Sequence, residues 1–552
     1  MKKTIKSAFI SVFYKTNGLD LIVKKLHELG VSITSTGGTA DFIEGLGVPV
    51  IKAETITGYP SILGGRVKTL HPKIMGGILA RRDNQDDLAQ LQQYEIPEMD
   101  LVIVDLYPFE QTVDSGASHE AIVEKIDIGG ITLIRAAAKN YNDVTIVASM
   151  DQYPVLLDIL EKQGTEITED QRYDFATKAF VTTAYYDLTI MSYFGQGHYY
   201  GVIGKKIRNP RYGENPQQES YGLFKILGIN DPLGIDKLQY IKGDPGQVNI
   251  TDVDRVLQTM THIIAGYYKN NLWQDMGFTS EKDMPFVAIG VKHGNPCGAS
   301  IETNPEDALM KMLEGNLKSI FGGVVMVNFP ITKKHAEIIR NYRSKKRRTL
   351  DMIIAPAIDS EAIELLQRKK DACKITVLPA LGNLDADCLD KSILIRKLRA
   401  GFLLQQNYDS IIDLNSLDIK RYGNIHNLSS EDRINLVLGL ALCATSNSNT
   451  IALVNFRKLI GLGEGQADRV ECTSLSIRRA RGSRHIIKGA IGCSDSFFPF
   501  PDGPQKLIKA GVEIIFSTSG SLNDQLTIDL CVEKNILLLL IPNNIARMFF
   551  GH

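Results

Sequence analysis

The 552-residue chain reads as an α/β protein in two parts, a mostly parallel-sheet domain over residues 1–200 and a larger α/β region over residues 201–552. Three observations lead there. Short apolar runs of strand length alternate with stripes at helical spacing, the rhythm of βα units. A glycine-rich stretch from Gly195 to Gly204 breaks the chain near residue 200. The composition, 44% hydrophobic and 23% charged, is that of folded domains and excludes intrinsic disorder.

In chain order, Ala8 to Val12 is a short apolar run, and Leu19, Ile22, Val23, Leu26 and Leu29 form one helical stripe. Val31 to Thr34 is a strand that breaks into Ser35-Thr36-Gly37-Gly38-Thr39. Leu101 to Leu106 is another, ending at Tyr107-Pro108, and Val144 to Ala148 a third. Thr168 opens a long helix to about Phe194, with Glu169 and Asp170 suiting its positive end. Beyond the break, strand-like runs recur at Phe286 to Val291, Val324 to Val327, Ile353 to Ala355, Ile451 to Val454, Ile514 to Phe516 and Ile536 to Ile541, with helical patterns between them. No sequence repeat is visible.

Charge and cysteine usage narrow the class. Lys and Arg number 62 against 63 Asp and Glu, so bulk charge gives no reason to bind nucleic acid or an acidic membrane. The start, with Lys6 interrupting its apolar residues, does not read as a signal peptide, and no run approaches a membrane span. Seven scattered cysteines without a C-x-x-C pair read as reduced thiols of a cytoplasmic protein.

Several segments carry chemistry. Ser35 to Thr39, between a strand and a helix, suits an anion, although it also reads as an ordinary βα turn. Gly64-Gly65-Arg66-Val67-Lys68-Thr69-Leu70-His71-Pro72 is a loop dense in donors for a phosphate and a polar ring. Asp127, in Ile126-Asp127-Ile128-Gly129-Gly130, lies in an apolar stretch where a carboxylate must be paired or used. Lys139 ends Arg135-Ala136-Ala137-Ala138-Lys139-Asn140, where a helix dipole alone accounts for a cation. In the second region, the strand ending in Lys292-His293-Gly294-Asn295-Pro296-Cys297-Gly298 places a Lys–His pair where open α/β sheets put catalytic groups. Adjacent strand residues point to opposite faces, so both reach one site only if the strand bends there.

Taken in order with Leu106-Tyr107-Pro108-Phe109, these motifs resemble the inosine monophosphate (IMP) cyclohydrolase domain of the bifunctional purine-biosynthesis family. Arg211-Tyr212-Gly213-Glu214-Asn215-Pro216-Gln217-Gln218, the Lys292 motif, Ser448-Asn449-Thr450, Gly461-Leu462-Gly463-Glu464-Gly465-Gln466 and Asp495-Ser496-Phe497-Phe498-Pro499-Phe500 resemble its 5-aminoimidazole-4-carboxamide ribonucleotide (AICAR) formyltransferase domain. The resemblance implies a methylglyoxal-synthase-like first domain and a second region of cytidine-deaminase-like subdomains, with both activities and 10-formyltetrahydrofolate as donor. It implies that Lys68, Tyr107, Asp127 and Lys139 surround the cyclizing atoms. Ser11, Lys15, Ser35, Thr36, Gly37, Gly38, Thr39, Arg66 and Thr69 then hold the nucleotide.

In the formyltransferase half it implies His293 as the base, Lys292 as the cation at the formyl oxygen or departing folate nitrogen, and Asn449 orienting His293. Arg211, Tyr212, Asp351, Phe497 and Arg547 face the substrate, and Gly463, Gln466, Pro499, Phe500 and Asp502 the folate. It also implies a homodimer with sites built across its interface.

The chain departs from the family pattern in four places. Phe13-Tyr14 stand in the segment Ser11-Val12-Phe13-Tyr14-Lys15, Asp105 replaces an asparagine, Gln217 replaces a histidine, and the ending up to His552 is shifted by one residue. These leave a protein with cyclohydrolase activity only, or a nucleotide-binding regulator with neither activity, as alternatives. The deaminase signature H-x-E…P-C-x-x-C is absent, so no catalytic metal is expected. The basic run Arg343-Ser344-Lys345-Lys346-Arg347-Arg348 lacks interleaved aromatics and reads as a helix end rather than an RNA site.

Overall fold

The computed structural model describes residues 2–219 and 222–551, and the chain divides into two units, Met1–Gly204 and Lys205–His552. The first unit is built on a five-stranded sheet. Its order is Ile51–Lys52, Ser32–Ser35, Ser7–Ser11, Leu101–Val104, Thr145–Val147, and every pairing is parallel. Ala8, Phe9, Ile10 and the whole Leu101–Val104 strand are buried, as in a sheet covered on both faces. The helix Leu19–Glu28 buries Leu19, Ile22, Val23 and Leu26, which is the stripe read from the sequence. The helix Glu169–Gly195 starts at a capping box in which Thr168 and Gln171 satisfy each other's backbone N–H. The chain first builds outward from Ser7–Ser11 on one side and then on the other. The strand order therefore reverses between Ser7–Ser11 and Leu101–Val104, and a crevice opens at their carboxyl ends.

The second unit carries a twelve-stranded mixed sheet made of two topologically matching halves. Each half runs edge strand, helix, antiparallel hairpin, then three strands separated by helices. In the first half these are Gln239–Lys242, the helix Gln247–Lys269, the hairpin Phe286–Lys292 with Asn295–Glu302, then Val324–Val327, Met352–Ala355 and Lys374–Val377. In the second they are Lys420–Tyr422, the helix Ser430–Ala444, the hairpin Ile451–Asn455 with Lys458–Gly463, then Ala490–Ser494, Val512–Ser519 and Leu537–Pro542.

The halves join edge to edge at one recorded ladder pairing, Ser300 with Lys458. Ion pairs close the seam, since Lys458 reaches Glu314, and the Arg457 guanidinium lies 3.8 Å from Glu302.

Local chemistry explains the helix ends. Arg347 donates to the carbonyls of Leu365, Leu366 and Gln367 at 2.6–3.1 Å, and buried Arg348 donates to those of Ile339 and Tyr342. The basic run thus closes the carboxyl ends of the helices Ser360–Leu366 and Lys333–Asn341. Among the described residues, no helix is long and apolar enough to cross a membrane.

Candidate functional site

In the first unit the crevice is shaped by Asp105, which follows Leu101–Val104 and is buried. Its carboxylate accepts the N–H groups of Phe13 and of Tyr14, the latter at 3.0 Å. Two departures from the family pattern are therefore one arrangement, with the extra carboxylate turned onto the loop that carries the bulky pair. Burial raises its pKa, while the two N–H bonds and the nearby Lys15 oppose the rise. The Lys15 ammonium donates to the carbonyls of Val12 and Phe13, both at 2.9 Å, and burial lowers its pKa.

Lys68 reaches the same place from the 62–67 loop, which is closed by pairing of Ile62 with Val67. Leu63, Gly64 and Gly65 there all have positive φ, and a side chain at Gly65 would meet the Lys68 Cε at 2.7 Å. The Lys68 Nζ lies 3.9 Å from where a Cβ on Gly37 would sit, at the start of the helix Gly37–Gly45. Two ammonium groups and a helix N-terminus thus face the crevice, as an anionic ligand requires.

The hydroxyls divide. Ser35 donates to the Ile10 carbonyl and Thr39 to that of Val12, both buried, so the hydroxyl protons of these two brace the turn. Ser11 and Thr36 bond each other at 3.1 Å and remain at the mouth with exposed Gly37 and Gly38.

Asp127 sits at the amino end of the helix Gly129–Lys139, where its carboxylate accepts the Gly130 N–H at 2.6 Å. Burial raises its pKa, against the Gly130 and Tyr107 N–H groups and the charge of Lys68. The Tyr107 phenol is likewise raised by burial and by Asp127. Thr69 borders the group, its Oγ1 3.1 Å from where a Cβ on Gly129 would sit. Phe13 meets Tyr107 edge to face at 5.6 Å, with the Lys125 ammonium over both rings. Arg66 is exposed and paired with Glu124.

Lys68, Tyr107 and Asp127 therefore meet, but Lys139 does not. It closes the helix that Gly129 opens, so ten residues at ~1.5 Å of rise carry it about 15 Å away along the axis. There it serves as the cation at the helix carboxyl end.

In the second unit, Lys292 and His293 both line a cavity of about 220 Å³, with Asn316, Glu464 and Arg479 among its other walls. The bend that this requires is present. His293 and Gly294 are the two-residue turn between antiparallel strands, with φ of 54° and 72°, the pattern of a type I′ hairpin. Buried Asp252, on the helix Gln247–Lys269, accepts the N–H of His293 at 3.3 Å and of Gly294 at 2.5 Å. The Lys292 ammonium donates to the Phe321 carbonyl at 2.6 Å, and it and Asp351 flank Gly322. Arg479 donates to both carboxylate oxygens of Glu464, at 2.6 and 2.7 Å.

Arg211 and Tyr212 run along the start of the Asp252 helix. The Arg211 N–H donates to the Pro245 carbonyl, and the Tyr212 ring lies where any Cβ on Gly246 would fall, 2.2 Å from it. Gln217 is exposed.

Other expected residues lie elsewhere. The Asn449 amide donates to the Gln466 carbonyl at 2.7 Å and accepts from Arg469 at 2.6 Å, so within the chain it does not orient His293. Arg469 is buried and also bonds Ser494 and Asp495. Gly463 has a packing reason to be glycine, because a Cβ there would fall 2.1 Å from the Cys472 carbonyl of the helix Arg469–Gly482.

Half-buried Phe497 and exposed Pro499, Phe500, Asp502 and Arg547 lie near the carboxyl ends of the second half's strands, apart from the Lys292 cavity lining. His552 lies outside the described residues. Among the described residues, no group of three or more His, Cys, Asp or Glu is placed to hold a metal. Asp252 and Arg469 were not singled out as site residues by sequence reasoning, because each reads as an ordinary polar helix position, whereas Arg479 stood out only as part of the basic cluster Arg478-Arg479-Ala480-Arg481, read as a subunit-interface or folate-tail contact.

Comparison with known proteins follows this geometry. Residues 18–132 match the model of the MGS-like domain, and residues 137–479 that of the AICARFT/IMPCHase bienzyme. The chain is 39% identical over 541 residues to the bifunctional purine biosynthesis protein PurH of Bacteroides thetaiotaomicron, covering 97% of each chain. It is 35% identical to the Prochlorococcus marinus PurH, covering 97% of this chain and 98% of that one. Against the Aquifex aeolicus PurH it is 32% identical, over 96% and 98%.

Proposed function

The chain belongs to the AICARFT/IMPCHase bienzyme family, a bifunctional enzyme of purine synthesis that formylates AICAR and closes the product to IMP, and we propose the residue roles that follow. We further propose that the formyl donor is 10-formyltetrahydrofolate, that the protein works in the cytoplasm, and that it assembles as a homodimer.

In formyl transfer, the AICAR 5-amino nitrogen attacks the formyl carbon while His293 takes its proton. A neutral imidazole suits that task near pH 7. Lys292 steadies the formyl oxyanion as the bond to the folate nitrogen breaks, and that nitrogen leaves protonated. Arg211 and Tyr212 hold the substrate. Asp351, Asn449, Gly463, Gln466, Phe497, Pro499, Phe500, Asp502 and Arg547 belong to the folate and substrate contacts only as the family pattern implies.

In ring closure, the carboxamide nitrogen attacks the formyl carbon and water is lost. Lys68 and the Tyr107 phenol stabilise the developing oxyanion, and Asp127 moves the proton. Lys15, Lys68, Ser11, Thr36 and the amino end of the helix Gly37–Gly45 take the phosphate.

The observation that supports the formyltransferase assignment most is the turn that brings Lys292 and His293 onto one cavity. The test is a nucleotide chromatogram after incubation with AICAR and 10-formyltetrahydrofolate. IMP is expected from the intact protein and not from His293→Ala, which still closes the pre-formylated nucleotide. If the intact protein closes only the pre-formylated nucleotide, formyl transfer by this chain is refuted.

A further inference from the structure

The two halves of the second unit use the same device at their hairpins with one chemical difference. In the first half, the sixth residue of the helix Gln247–Lys269 is Asp252, and its carboxylate accepts both N–H groups of the turn His293–Gly294. In the second half, the sixth residue of the helix Ser430–Ala444 is Asn435. Its Oδ1 accepts the N–H of Arg457 at 2.8 Å, in the turn Phe456–Arg457. That turn also has two residues, with φ of 54° and 60°. Both turns hold a non-glycine side chain in the left-handed region, which costs energy unless the surroundings hold it there.

Asn435 shows that a neutral amide is enough to support such a turn. The half that carries the Lys–His pair has a buried carboxylate instead, although burial works against its charge and raises its pKa. A carboxylate here bonds two turn N–H groups where the amide bonds one, and it places a negative charge against His293. We propose that Asp252 is a positioning residue for formyl transfer. Through the backbone of His293 and Gly294, whose two N–H groups its carboxylate holds, it fixes the imidazole on the cavity. The inference rests on His293 being the base.

The experiment compares Asp252→Asn, Asn435→Asp and His293→Ala in the full-length protein. Formyl transfer from 10-formyltetrahydrofolate to AICAR is measured alongside closure of the pre-formylated nucleotide. Asp252→Asn is expected to fold and to close the pre-formylated nucleotide at the normal rate. Its formyl-transfer kcat falls at least tenfold, while KM for AICAR and for the folate stays within about twofold. Asn435→Asp leaves formyl-transfer kcat unchanged. A kcat for Asp252→Asn within twofold of wild type, with His293→Ala inactive, overturns the inference and leaves the base assignment standing. Activity in His293→Ala overturns the base assignment itself. A fall in both kcat and ring closure in Asp252→Asn marks misfolding, and Asp252→Ser, which keeps one acceptor oxygen, then decides by the same kcat threshold.

Discussion

The Asp105 carboxylate accepts the backbone N–H of Tyr14 at 3.0 Å, and it takes that of Phe13 as well. A buried acid thus ties the loop after the central strand to the strand on the other side of the crevice. Replacing it with alanine leaves two N–H groups without their partner. The loss is expected at about 1–3 kcal/mol of stability, with a higher KM for ring closure and unchanged formyl transfer. Normal ring-closure kinetics in Asp105→Ala would contradict this.

Asp105 also sets a pH dependence. Its folded pKa is raised by burial, so the folded state binds its proton more tightly than the unfolded chain does. That contribution is complete below the unfolded pKa of about 3.9 and is lost as pH rises through the folded value. Melting temperatures of wild type and Asp105→Asn, measured from pH 4 to pH 7, should show the wild-type advantage shrinking as pH rises. A gap that widens with pH refutes the assignment.

Phe13 supports Tyr107 through an edge-to-face contact, with Lys125 over both rings. Such ring pairs contribute about 0.5–1.5 kcal/mol. Phe13→Ala is expected to slow closure of the pre-formylated nucleotide several-fold and to leave formyl transfer untouched. Equal loss of both activities would point to a general folding defect instead.

Arg469 is 7% exposed and pairs with Asp495, which has no exposure. Removing the guanidinium strands a buried carboxylate, a change that costs about 3–5 kcal/mol. Arg469→Met should therefore unfold at markedly lower temperature. Arg469→Met with Asp495→Leu should recover much of the loss in a thermal melt, and no recovery would show that the pair is not the main determinant.

Gly463 tests packing against ligand contact. A Cβ would fall 2.1 Å from the Cys472 carbonyl, so Gly463→Ala must push the helix Arg469–Gly482 off the sheet, at about 1–3 kcal/mol. The expected signature is a lowered melting temperature with or without folate present. Unchanged stability with weaker folate affinity would assign Gly463 to the folate contacts.

The strands that were legible were those made of unbroken apolar residues. Phe286 to Val291 and Val324 to Val327 bury almost every side chain, and composition alone marks them. Asn295–Glu302 and Lys458–Gly463 were hidden because Pro296, Gly298, Gly461 and Gly463 look like turn residues. In the fold, Gly298, Gly461 and Gly463 let neighbouring backbone approach within van der Waals distance of the strand. The segment after Lys292 therefore read as a closing turn when it is the second arm of a hairpin.

Site residues followed the same division. Lys68, Tyr107, Asp127, Lys292 and His293 carry reactive groups in recognisable company, so motif reading singles them out, and the fold places the first three around one crevice and the last two on one cavity. A motif records order and not the length of the helix between its parts, so the position of Lys139 at the far end of the helix Gly129–Lys139 was not legible. Asp252 has nothing in its neighbourhood of sequence to separate it from a surface acid, since its partners His293 and Gly294 lie 41 and 42 residues away. The duplication of the second unit left no visible sequence repeat and was implied only by the family resemblance, for it survives in strand order and turn geometry rather than in residue identity.

The seam between those halves has a consequence for the cavity. Lys292 to Cys297 come from one half of the cavity wall, and Leu459 to Leu462 with Glu464 and Arg479 come from the other. Neither half encloses the space alone. A chain cut between them would keep the Lys–His turn but lose the facing wall, so that Glu464 and Arg479 would no longer border the space. The cavity is thus a property of the joined sheet and of neither copy.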